Sequence, residues 1–89
     1  MLDIKMTGDL CNDAKLVHES ISRLYGMLEY LEKECIEKDK GKTATDAFIY
    51  INNMKSRTEA MVETSKQLLR VVDIQQYGEL SKYIRPYLG

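Results

Sequence analysis

Residues 9–38 read DLCNDAKLVHESISRLYGMLEYLEKECIEK, and this stretch decides the fold. Leu10, Ala14, Val17, Ile21, Leu24, Leu28, Leu31 and Cys35 recur in it at alternating steps of four and three. That unbroken heptad spacing is an apolar seam of coiled-coil type, so the stretch is a long helix with one face committed to packing. On the outer face Glu19 precedes Arg23, Glu29 precedes Lys33 and Glu34 precedes Lys38, each by four residues with the acid first. Such pairs add about 0.2–0.5 kcal/mol apiece and mainly keep the helix soluble.

Working outward, residues 39–42 read DKGK, and the glycine suits the left-handed conformation that ends helices, so a tight turn is expected there. Thr43 stands three residues before Asp46 in the manner of a capping box and opens a second helix over residues 43–72. Its seam reads Ala47, Ile51, Met54, Thr58, Met61, Ser65, Leu68 and Val72. Two helices of matched length joined by a short turn form an antiparallel hairpin. Asp73 and Gln76 then suit the cap of a third, short helix over residues 74–85, with Tyr77, Leu80, Ile84 and Tyr87 toward one face. Gly78 weakens that helix by about 1 kcal/mol, and Pro86 limits its end.

The hairpin has apolar surface beyond its seam. Phe48, Val62 and Leu69 make a stripe beside it, broken only by Lys55, and Ile49 and Val71 widen it. Cys11, His18 and Tyr25 flank the seam of the first helix, with Met27 on the other side. A face this wide contacts more than one helix. The expected architecture is therefore all-α: two long helices in a hairpin and a short C-terminal helix, in one domain over residues 1–89. Either the third helix folds back to close a three-helix bundle or, the arrangement favoured because a helix of about twelve residues covers only part of the groove, two hairpins associate as a homodimeric four-helix bundle.

Composition narrows the function. Thirteen Lys and Arg against fourteen Asp and Glu are mixed along the 89 residues, with a net charge of −1. Nucleic-acid binding, which draws most of its affinity from a basic stripe, is thereby disfavoured. No apolar run approaches the roughly 20 residues that span a bilayer, so no membrane role is expected. Cys11 and Cys35 fall on one helix roughly 36 Å apart at 1.5 Å per residue, too far for a disulfide. Free thiols and the lack of a signal-peptide pattern in the first residues indicate the cytoplasm.

No catalytic pairing, metal-ligand spacing or phosphate-binding loop stands in the sequence, so neither an enzyme nor a cofactor is expected. His18 lies about 10.5 Å along the helix from Cys11, and one ion does not reach both. It reads as a half-buried flanking residue. The three methionines Met27, Met54 and Met61 read as core fillers, or as an adaptable surface for a partner helix. Thr58 and Ser65 are hydroxyls inside the seam, either back-bonded to the helix or loosening it for exchange. The tail holds the richest aromatic and basic cluster, Tyr77, Tyr83 and Tyr87 with Lys82 and Arg85.

These features point to a small module that binds another protein as an adaptor, chaperone or inhibitor. The expected contact surface is Phe48, Val62 and Leu69 with Tyr77, Tyr83, Ile84 and Tyr87. An inhibitor or immunity factor of phage or mobile-element type, with one dedicated target, is the alternative within that class. A small regulator touching nucleic acid is the alternative outside it.

Overall fold

The computed structural model describes residues 5–38, 45–79 and 84–88. They form α1 (Leu10–Lys38), α2 (Asp46–Tyr77) and a single turn, α3 (Arg85–Leu88). The turn expected over residues 39–42, together with Thr43, Leu80, Lys82 and Tyr83, lies outside the described residues.

Local chemistry sets the helix ends. The Asp9 carboxylate accepts the Cys11 N–H at 3.1 Å, which caps α1. Asp13, on the first turn, reaches back to accept the Thr7 N–H at 2.8 Å and the Gly8 N–H at 3.0 Å. The Thr7 hydroxyl also donates to Asp13 at 2.8 Å. These bonds, that from the Thr7 backbone first, hold the Asp13 carboxyl below its ordinary range. At α2 the Thr45 hydroxyl accepts the Phe48 N–H at 3.3 Å, so the cap is Thr45 rather than Thr43.

The second helix runs past residue 72 to Tyr77 and ends where Gly78 takes a left-handed φ of 78° and donates its N–H to the Ile74 carbonyl at 2.7 Å. The expected third helix over residues 74–85 is therefore corrected: its first turn belongs to α2, and among the described residues after Gly78 the helical ones are Arg85–Leu88. Nothing between Val72 and Tyr77 breaks a helix, and an αL glycine is a stronger stop than a possible cap at Asp73 is a start. Asp73 is fully buried in the last turns of α2.

The two long helices pack antiparallel: His18 meets Ser65, Glu32 meets Lys55, and Cys35 approaches Thr45. The register of that packing differs from the one the periodicity suggests. The columns of α1 that face α2 are Cys11, His18, Tyr25 and Glu32 with Ala14, Ile21, Leu28 and Cys35, all buried or half-buried. On α2 the facing columns are Phe48, Lys55, Val62 and Leu69 with Ile51, Thr58, Ser65 and Val72, likewise buried or half-buried. Each helix keeps one column of the expected seam and exchanges the other for the stripe beside it. Leu10, Val17, Leu24 and Leu31 thus point outward from α1, and Ala47, Met54, Met61 and Leu68 from α2.

Contacts between the helices account for this rotation. Placing the 11/18/25/32 and 48/55/62/69 columns inward brings the Lys55 ammonium within 3.1 Å of Glu32 and lets Asn52 donate to the same carboxylate at 3.2 Å. It also buries Leu69 completely against Cys11, Ala14 and Val72. The chain beyond Gly78 returns to this end of the hairpin, where Ile84 is fully buried and Tyr87 and Leu88 pack on the same cluster. The apolar core is concentrated there. Toward the turn the seam is held by Leu28, half-buried side chains and the Glu32–Lys55 pair.

Candidate functional site: an uncharged apolar face

The rotated seam leaves the more apolar columns outside. In an antiparallel helix pair the columns flanking the seam on one side lie next to each other, one from each helix. On one side of this hairpin those columns are Leu10, Val17, Leu24 and Leu31 beside Ala47, Met54, Met61 and Leu68, without one charged residue among them. Val17 and Ile21 from α1 line a single groove with Met61 and Leu68 from α2, which places the columns side by side. The face continues over α1 in a shallow concavity lined by Leu24, Met27, Leu28, Tyr30 and Leu31, with Arg23 and Glu34 as its charged rim. Leu24 is 37% exposed, Met61 49% and Met54 52%, values far from those of core residues.

By helical register the opposite side is mostly polar, with Lys15, Ser22, Glu29 and one apolar residue, Ile36, on α1 and Asn52, Glu59, Lys66 and Asp73 on α2. The hairpin is therefore two-sided. A contiguous apolar patch of this extent is uncommon on a monomer. Gly26 sits at the edge of the concavity, where an added Cβ would meet nothing within 4 Å, so no other part of the described chain approaches it closely.

A polar cluster locks α3 to the hairpin near the other side. The buried His18 Nδ1 lies 2.6 Å from the Ser65 hydroxyl, which donates its proton to the Val62 carbonyl at 2.7 Å. A hydroxyl has one proton, so His18 Nδ1 carries the hydrogen of the shorter contact and donates it. The Tyr87 ring stands edge-on to His18 at 6.1 Å, and its O–H donates to Glu19 at 2.9 Å. Burial, with the Lys66 charge behind it, pushes the His18 pKa down against the pull of Glu19 and Glu63. The bond to Glu19, ahead of burial, pushes the Tyr87 phenol up. Each of these groups is occupied in joining elements. Among the described residues no group of three or more His, Cys, Asp or Glu is placed to hold a metal ion.

The residues expected at a contact surface are distributed otherwise than the sequence suggests. Leu69 and Ile84 are fully buried and hold the fold together. Phe48 and Val62 are half-buried in the seam, and Tyr87 is half-buried and bonded to Glu19. Tyr77 is exposed at the end of α2, and Tyr83 lies outside the described residues. The exposed columns were visible in the sequence as two runs, at residues 10, 17, 24, 31 and 47, 54, 61, 68, that contain no charge.

The geometry defines an α-helical hairpin clasped at one end by a C-terminal helical turn, with one uncharged face open. Compared with known proteins, the chain matches no family model, no curated sequence and no solved structure. Among the described residues no helix is long and apolar enough to cross a membrane.

Proposed function

We propose that this protein is a non-catalytic protein-binding module, an adaptor, chaperone or inhibitor, acting in the cytoplasm through the apolar face of the hairpin. The observation that carries the reading is the pair of uncharged columns Leu10, Val17, Leu24, Leu31 and Ala47, Met54, Met61, Leu68, exposed together on one side while the other side is mostly polar. Helical faces of this kind receive another helix through anchors at seven-residue spacing, and the unbranched methionines adapt to its shape. Cys11 and Cys35 are not joined in a disulfide, which suits a reducing compartment.

The test is position-dependent photo-crosslinking in the producing cells. A photoreactive side chain at Leu24 or Met61 should join the chain to protein, whether a copy of itself or another species. The same group at Glu59, on the polar side, should not. Equal yields at the three positions, or none at Leu24 and Met61, would remove the apolar face as the working surface.

A further inference from the structure

Taking the apolar face as a protein-docking surface, we infer that its occupant is a second copy of this chain. The two copies are related by a two-fold axis parallel to the helices, so that α1 of each lies antiparallel against α2 of the other. The inference deepens the proposed function by naming what covers the face.

Area supports it. A folded monomer of 10.3 kDa has about 5,400 Å² of accessible surface, whereas this chain exposes 6697 Å², a surplus of roughly 1,300 Å². The shape agrees: the radius of gyration is 16.4 Å, against about 12 Å for a compact domain of this length. The face itself runs about 31 Å from Leu10 to Leu31 at 1.5 Å per residue and is two helices wide, a footprint near 600 Å². The footprint is of the order of the roughly 800 Å² per partner that a stable, specific interface buries.

Self-complementarity supports it as well. Both helices present the same kind of column, leucine or valine on α1 and methionine or leucine on α2, so the face can pack on a copy of itself without setting a charge against an apolar surface. In the four-helix bundle that results, the outward columns become the second half of a core whose first half is the polar-rich seam.

The rim selects the orientation. Beyond the leucine column, α1 carries Asp13, Ser20, Met27 and Glu34, and beyond the methionine column α2 carries Tyr50, Arg57, Thr64 and Val71. Were the copies to meet α1 on α1 and α2 on α2, centred on the face, Asp13 of one would lie level with Glu34 of the other. Opposed like charges disfavour that arrangement. With α1 on α2, the observed pairs His18–Ser65 and Glu32–Lys55 fix which residues lie level. Glu34 then lies level with Tyr50 of the partner subunit, Met27 with Arg57, and Leu24 with Met61, and no like charges meet.

Light scattering on the full chain at about 100 µM, above the micromolar weak end for an interface of this size, should give twice the 10.3 kDa mass. Leu24→Glu and Met61→Lys, both at exposed positions, should each return the monomer mass with helical circular dichroism retained. Mixing the two variants should restore the dimer, because Glu at 24 of one chain then meets Lys at 61 of the other. A monomeric native chain, or a dimer that neither substitution weakens, would overturn the inference. Failure of the mixture to reassociate would overturn the α1-on-α2 orientation. A native monomer that still crosslinks to a different protein from Leu24 and Met61 would overturn self-association and leave the proposed function standing; no crosslink from either position would overturn both.

Discussion

Leu68 and Leu69 are adjacent in sequence and opposite in fate, which makes them a sharp test of how the hairpin packs. Leu69 is 0% exposed and Leu68 is 43% exposed. Leu69→Ala removes the equivalent of three methylenes from the core, about 2.4 kcal/mol at 0.8 kcal/mol each, and the cavity left behind raises the loss toward 5 kcal/mol. For a chain of this length that is a fall in Tm of roughly 10 °C or more. Leu68→Ala removes the same atoms from a site already half in water and leaves no cavity in the single chain, so its loss is nearer 1 kcal/mol. Helix propensity does not separate the two, because leucine and alanine are both strong helix formers. Urea unfolding followed by helical circular dichroism reads the difference, repeated at several protein concentrations. The Leu69→Ala loss should be large throughout, and the Leu68→Ala loss should grow with concentration as its face becomes covered. Leu68→Ala costing as much as Leu69→Ala at every dilution would refute the packing register described above.

Two further outcomes follow from the polar cluster and the helix stop. Because the His18 pKa is lowered in the fold, its neutral form is favoured there, and its contribution to stability is present above the ordinary imidazole value of 6.5 and lost as pH falls below it; the native chain should lose stability as pH falls below 6.5, and His18→Gln should flatten that slope in denaturant melts taken on the two sides of this value. Gly78→Ala places a side chain in a left-handed conformation where nothing crowds it, so the penalty is that of the backbone alone, about 1–2 kcal/mol, read as a lower Tm without loss of helical signal before melting.

The all-α class and the two long helices were legible because they depend on local signals: heptad spacing, and Asp9 ahead of an apolar run. The register of the seam was not. The expected and observed seams share Ala14, Ile21, Leu28 and Cys35 on α1 and Ile51, Thr58, Ser65 and Val72 on α2, and differ only in the second column of each helix. By apolar content alone, the leucine and methionine columns belong inside. Contacts between residues 23 or more apart, Lys55 on Glu32, Ser65 on His18 and Tyr87 on Glu19, tell the other way, and one-dimensional periodicity does not contain them. The same non-locality hid the role of Asp73, a good cap by type that the fold places within α2. It also hid the role of Ile84, which completes the core of a hairpin end far from it in sequence.

What the exposed columns do can be read on the columns themselves. Methyl groups of leucine, valine and methionine, isotope-labelled in the intact chain, can be titrated with a soluble paramagnetic agent at low and at high protein concentration. The account predicts that the Leu24, Leu31, Met54 and Met61 methyls are reached by the agent in dilute solution and shielded in concentrated solution, while Leu28 and Leu69 are shielded at both. Leu24 and Met61 shielded at every dilution alongside an accessible Leu69 would contradict it, because the hairpin would then close on its leucine column and leave no apolar face to offer.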